Sequence, residues 1–357
     1  MNWVHAETPS GRVTVDPLIG NIRKLEFQVG GRSLSPLHNA PWADDADTLA
    51  DKSLPPVEAS LCGDFFCAPF GNTDVDDTPI HGWTANSRWR RLSCTQETLS
   101  FGLERRVMGA QVSKTLTLAG NAPLLYQTHE ITGGEGQLTV AHHPMIRLSG
   151  SGTLSVSQKR AAITPDTALE AGRNRLALGH RADDISCFPA EGGGTVDLHH
   201  LPIADRHEDF VTLVEAADSD LGWTAIIRDT EDDIIFVLKN PDILPLTMLW
   251  HSNGGRDYSP WNGRHRGVLG IEDGCAAGAA GYLAALGPNP ISDEGVPTAL
   301  TLGRRIRIAH VIGAVPRPKG WARIQAITAE NDQLTLSEAG GASLALPFDT
   351  DFLKKGS

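Results

Sequence analysis

Apolar and polar residues alternate with period two along most of the readable chain. The segments "GRVTVD", "KLEFQVGG", "SKTLTLAG", "LLYQTHEI", "QLTVAHH", "GTLSVSQ", "FVTLVEAAD", "WTAIIRD", "DDIIFVLKN", "RRIRIAHVIG" and "QLTLSEAGG" carry this alternation or a short β-branched run. Successive side chains of a strand point to opposite faces, so each segment predicts a strand. Clusters of Gly, Pro, Asn and Asp separate them at hairpin spacing. The 37 glycines and 22 prolines are spread throughout rather than pooled in one linker. Helical periodicity is confined to short segments near Ala168–Leu178 and Ala276–Leu286. Many strands with scarcely a crossover helix predict an all-β fold of antiparallel sheets packed face to face. No fixed-period repeat is present, which favours a sandwich over a propeller or β-helix.

A Pro-rich stretch, "AVPRPKGW" at Ala314–Trp321, divides the pattern into a body, residues 1–316, and a tail, residues 317–357. The tail reads as a β-hairpin. It is too small to hold a core of its own and is expected to pack on the body as an extension.

Composition narrows the function. With 40% hydrophobic and 21% charged residues the chain is globular rather than disordered. Its 31 basic and 43 acidic residues give a net charge of −12, which repels nucleic acid and anionic membranes and suits a small neutral ligand. A homodimer is compatible with these numbers. The five cysteines, Cys62, Cys67, Cys94, Cys187 and Cys275, are too few and too scattered for a disulfide framework, which points to a reducing, cytoplasmic setting. Cys62 and Cys67 lack the second pair or nearby His that a zinc site needs, so no metal is expected. The start, "MNWVHAETPSGRVTV", shows no signal-peptide pattern, and the run "CAAGAAGYLAALG" is short of the ~20 residues of a membrane span.

No dinucleotide loop, phosphate loop, nucleophile elbow or His-Glu-x-x-His motif is present, so any chemistry must be gathered across sheets. Four stretches concentrate proton-transferring and ligand-binding side chains. They are "CGDFFCAPFGN" with Asp64 and Asn72, "DTPIHGWTANSRW" with His81 and Trp83, "TVAHHPMIRL" with His142 and His143, and Met248–Cys275 with Trp250, Arg256 and Glu272. In "GVLGIEDG" the apolar and Gly neighbours would desolvate the Glu272 carboxylate and strengthen it as a base. On residues alone Glu272 reads more simply as the start of a solvated turn, and His81 as a loop histidine packed on Trp83. His142 and His143 read as a solvent-facing strand residue and a turn residue. His199, His200 and His207 are too irregularly spaced for a metal cluster and read as a surface loop.

The order of these stretches resembles the galactose mutarotase-like, or aldose 1-epimerase, superfamily, and in the first half its hexose-6-phosphate epimerase branch. "LCGDFFCAPFG" stands where that branch carries Arg-Gly-Gly-Ile-Pro-Val-Cys followed by Pro and Phe-Gly. "HGWTANSRW" stands for its His-Gly-Phe-Ala-Arg-Asn-Ser, "HHPMI" resembles its His-Pro-Tyr-Phe motif, and "LGIED" its apolar-then-Glu segment. The likeness runs from about Arg12 to Ile312. It implies a large antiparallel β-supersandwich with a sugar in a groove, and cofactor-free opening and closure of a hemiacetal ring. On this resemblance Glu272 is the base, His143 the acid and His81 the second histidine at the sugar, with His142 the substitute if the alignment slips by one. Trp83 or Trp250 would supply the aromatic platform, and Asp64, Asn72 and Arg256 would meet hydroxyls; Asp64 reads equally as a turn cap and Asn72 as a left-handed backbone position.

The departures matter too. The branch's two phosphate-binding arginines are replaced by Leu61 and Ala85, and Arg88, three residues on in a strand, would face the other way. A non-phosphorylated aldose is therefore expected. Met145 and Ile146 replace the aromatic after "HHP". Two alternatives stay open: a carbohydrate-binding protein without turnover, and a lyase or hydrolase acting on an oligosaccharide. Against the last, the usual hydrolase needs two carboxylates flanking the bond, and adjacent Glu272 and Asp273 would point apart on a strand.

Overall fold

The computed structural model describes residues 3–72, 74–75 and 77–354. All eleven alternating segments form strands, and two large antiparallel sheets make the body. One has nine strands in the spatial order His200–Leu201, Gly152–Val156, Gly222–Arg228, Asp233–Lys239, Ile306–Pro316, Leu124–Gly133, Ala110–Leu118, Thr98–Leu103 and Trp89–Cys94. The other has eight. Seven run in the order Arg181–Ala182, Lys159–Ile163, His207–Glu215, Leu246–Asn253, Val268–Cys275, Val140–His142 and Phe66–Cys67, and Met145–Arg147 also pairs with Val268–Cys275. A four-stranded meander at the N-terminal end packs on the strands Thr98–Leu103 and Ala110–Leu118.

Period two decides which side chains meet. Along Val268–Cys275, Leu269, Ile271 and Cys275 enter the core between the sheets, together with Val211, Leu213 and Leu249 of neighbouring strands. The intervening positions on the same strands, Phe210, Val214, Met248 and Trp250, pack in a second cluster on the opposite face. Glu272 belongs to that second face and Asp273 to the first. Glu272 lies inside a strand and is 2% exposed, so the solvated-turn reading does not hold.

Asp273 joins a buried ionic layer between the sheets. Its carboxylate meets Lys239 Nζ at 2.9 Å and His310 Nε2 at 3.0 Å, and Lys239 also meets Glu215 at 3.0 Å. Burial opposes the charged form of Asp273, but Lys239 and the His310 hydrogen bond outweigh it and hold the carboxyl below the usual range.

The tail differs from expectation in one strand. Ile324–Glu330, Gln333–Glu338 and Ser343–Pro347 form a three-stranded meander rather than a hairpin. Its Ile324, Ile327, Leu334 and Leu336 cover Trp223, Ile227, Ile234, Phe236 and Leu238 on the outer face of the nine-stranded sheet. The segment Ala168–Leu178 is not helical: the N–H groups of Arg175 and Leu176 donate to the Asp209 carboxylate, a tertiary acceptor that replaces helical ones. In Ala276–Leu286 only a 3₁₀ turn, Gly278–Ala280, and one α-turn, Tyr282–Ala285, form, separated by Gly281 at φ 94°. Among the described residues no helix is long and apolar enough to cross a membrane.

Candidate active site

A cavity of about 260 Å³ opens on the face of the eight-stranded sheet that turns away from the sandwich core. That is near the lower end of the ~300–1,000 Å³ typical of small-molecule sites. At its floor Glu272 Oε1 lies 2.9 Å from His143 Nε2, and both side chains are 3% exposed. Glu272 Oε2 and His143 Nδ1 are buried without a protein partner. His143 follows the strand Val140–His142, and its ring stacks on Phe65 at 4.4 Å and 25°.

His81 stands edge-on to His143, with ring centroids 5.2 Å apart, and also touches Phe65 and Phe70. Burial first, then the neighbouring His143 and Arg256 charges, push its pKa well below the ordinary value, which keeps the ring neutral. Its backbone is left-handed, φ 63°, and Gly82 follows at φ 73°. A Cβ on Gly82 would lie 2.0 Å from the carbonyl oxygen of Ala68, so only glycine lets the chain pass Ala68 and begin the short helix Gly82–Asn86. Asn86 closes this turn. Its amide donates to the carbonyls of Ile80 and Gly82 and its oxygen accepts the Val57 N–H at 3.0 Å.

One wall is aromatic and charged. Trp250, 6% exposed, donates its indole N–H to Glu208 at 3.0 Å, and its ring stacks on His265. The Arg256 guanidinium lies 4.3 Å over Trp261 and 5.6 Å from Trp250. It faces Glu208 at 3.8 Å and Glu170 at 4.0 Å, and its Nε is buried without a hydrogen-bond partner. Glu58 lines the same cavity half-buried, with its pKa raised by burial and opposed by Arg256. Such a wall offers donors and acceptors to hydroxyls above an apolar surface.

No protein-family model matches the chain, and no curated protein matches it in sequence. Solved structures do match. A protein of Escherichia coli K12 provisionally described as an aldose 1-epimerase aligns over 88% of this chain and 99% of its own, with 17% identity and a TM-score of 0.59. A galactose mutarotase related enzyme from Lactobacillus acidophilus covers 89% of this chain and 98% of its own, at 12% identity and a TM-score of 0.56. A galactose mutarotase-like protein from Lactobacillus casei covers 88% and 100%, at 12% identity and 0.53. The chain has the galactose mutarotase-like fold.

Within this galactose mutarotase-like sandwich, Glu272, His143, His81, Asn72, Trp250 and Arg256 line one cavity. Three expected contacts do not reach it. His142, one residue before His143, turns the other way into the core, where it stacks on His310 at 4.3 Å. Asp64 is 1% exposed and also faces the core, bonded to Gln127 and to the His143 N–H. Trp83 does not line the cavity; it packs against the core cluster between the sheets and lies under Arg105, 3.9 Å from the ring centre. The basis for dismissing Arg88 changes too: Ala85 is helical and fully buried, and Arg88 is exposed. Leu61 lines the cavity.

Sequence reasoning missed Glu58, Phe65, Glu208 and Phe210. Glu58 follows "PP" in the helix Pro56–Ala59, which tertiary packing alone brings to the cavity. Glu208 had a visible signal in its place beside the alternating run at Phe210, but its partners Trp250 and Ser252 lie more than forty residues away.

Proposed function

We propose that the protein is an aldose 1-epimerase that interconverts the anomers of a free, non-phosphorylated aldose. The observation that carries this reading is the Glu272–His143 pair, an acid and a base 2.9 Å apart at the floor of an aromatic-lined cavity of monosaccharide size. Glu272 removes the proton of the anomeric hydroxyl while His143 gives a proton to the ring oxygen, and the bond between C1 and that oxygen breaks. The aldehyde rotates about C1–C2. The ring hydroxyl then attacks the other face as the two protons return. Phe65, stacked on His143, holds the plane of the imidazole that serves as acid. Neutral His81 beside it hydrogen-bonds the sugar near the ring oxygen. Trp250 offers its ring to the apolar face of the sugar, and Arg256 and Glu58 supply donors and an acceptor for its hydroxyls. The surplus of carboxylates over cations on the wall, together with Leu61 and Ala85, argues against a phosphorylated substrate.

Anomer exchange followed by NMR on a panel of aldoses tests the reading. Wild type is expected to exceed buffer, with Glu272→Gln and His143→Ala each lower by about 10²–10⁴-fold. No acceleration on any aldose would end the proposal. Glu58 favours a second reading. It puts another carboxylate on the cavity that holds Glu272, the pairing that glycoside hydrolysis uses. New reducing ends released from an oligosaccharide in the same assay, and lost in Glu58→Gln, would support it.

A further inference from the structure

Asp64 is fully buried, touches no part of the cavity, and is bonded to the backbone of His143. The segment that carries it runs into the strand Phe66–Cys67, which pairs Ala141 with Cys67 and His142 with Phe66. At His143 this backbone ladder ends. The His143 N–H donates instead to Asp64 Oδ1 at 3.1 Å, and two residues later the Met145 N–H donates to the Gly63 carbonyl at 2.8 Å. Between them Pro144 has no N–H to give. Gly63 and Asp64 therefore grip the turn His143–Met145 at both ends. The second carboxylate oxygen of Asp64 accepts from Gln127 Nε2 at 2.7 Å, on the strand Leu124–Gly133 of the opposite sheet. One side chain thus ties the backbone at His143 across the sandwich to the nine-stranded sheet.

A buried carboxylate is an expensive way to fill space, because an apolar side chain of similar size avoids the desolvation. Only an acceptor, however, satisfies the His143 N–H where the ladder stops. We propose that Asp64 is the positioning residue of His143, fixing the backbone so that Nε2 is held at Glu272 Oε1. The kinetic consequence rests on the reading of His143 as the acid; the geometric one does not.

The test uses the full chain and two substitutions. Asp64→Val fills the space and removes the acceptor. Asp64→Asn keeps an oxygen for the His143 N–H, and rotation of the Gln127 amide restores the second bond. Long-range ¹H–¹⁵N spectra report the imidazole of His143, whose bond to Glu272 is identified by its loss in Glu272→Ala, which leaves no acceptor there. The expected result is that Asp64→Val moves the His143 resonances away from wild type toward their Glu272→Ala positions and lowers kcat by about 10²-fold with KM unchanged. Asp64→Asn retains both the wild-type resonances and the rate. Unchanged His143 resonances in Asp64→Val would overturn the proposal, as would their loss in Asp64→Asn. If Asp64→Val does not fold, Asp64→Asn decides: retained His143 resonances uphold the need for an acceptor at this position and their loss overturns the proposal. If wild type accelerates no anomer exchange, the proposed activity fails while the imidazole spectra still decide the role of Asp64.

Discussion

At the scale of single residues, the Glu272–His143 pair at the floor of the cavity differs in bonding from Arg256 on its wall. Glu272 and His143 already bond each other, so in the proposed reaction the sugar would insert its anomeric hydroxyl and ring oxygen between them. Arg256 is in the opposite condition. Its guanidinium rests on Trp261 with two carboxylates just beyond hydrogen-bond reach, and a ligand would complete its bonding. Hydrogen bonds to a charged group contribute about 1.5–3 kcal/mol each. Arg256→Ala is therefore expected to weaken sugar binding by about 10–100-fold with little change in kcat, as read from KM and from NMR titration of a bound sugar. Tightened or unchanged binding would exclude Arg256 from the sugar contacts. His142 and Asp64 show how far a residue's type leaves its task open. Both are polar and both lie within a few residues of the floor, yet each turns into the core.

At the scale of elements, the site is held by two strand interiors, one strand end and one left-handed turn. The Val268–Cys275 strand presents Glu272 on one face and Asp273 on the other, so one element serves both the cavity and the ionic layer between the sheets. Two successive positive φ angles at His81 and Gly82 carry the chain past Ala68 with almost no clearance. Gly82→Ala combines the left-handed penalty with a backbone collision. It is expected to lower stability by about 2–4 kcal/mol, measured as a fall in the urea midpoint, and to disturb His81 even where the fold survives. A stability within ~0.5 kcal/mol of wild type would show that the turn relaxes freely. The period-two pattern announced the strands because a half-buried sheet needs it. The helix Gly82–Asn86 went unannounced, because its register comes from Asn86 and from contact with Ala68 rather than from any repeat in its own five residues.

At the scale of the whole molecule, burial of so many histidines links stability to pH. His38 is lowered to about 4 and His251 to about 3, each first by burial, and His81, His129, His142 and His265 are also held well below the ordinary value, in each case chiefly by burial. Below about pH 6.5 the unfolded chain takes up protons that the folded one refuses, so stability is full above that pH and falls as pH drops toward the folded values. Each such histidine contributes a loss of about 1.4 kcal/mol per pH unit. Asp64, Glu58 and Glu208 are raised by burial and act in the opposite sense nearer pH 4. Urea midpoints at pH 7.5, 6 and 5 should decrease in that order, and a flat profile would contradict the buried neutral histidines. The sequence by itself determined the antiparallel strands, the unusual density of His, Trp and acidic residues in four stretches, and the absence of phosphate-loop and dinucleotide motifs. These follow from local periodicity and spacing. Only the tertiary structure decided that Glu272, His143, His81 and Arg256 share a cavity, that Glu58 joins them, and that Asp64, His142 and Trp83 do not. The physical reason is that a side chain's face is set by strand register and by partners scores of residues away, and one residue's shift along a strand exchanges cavity for core.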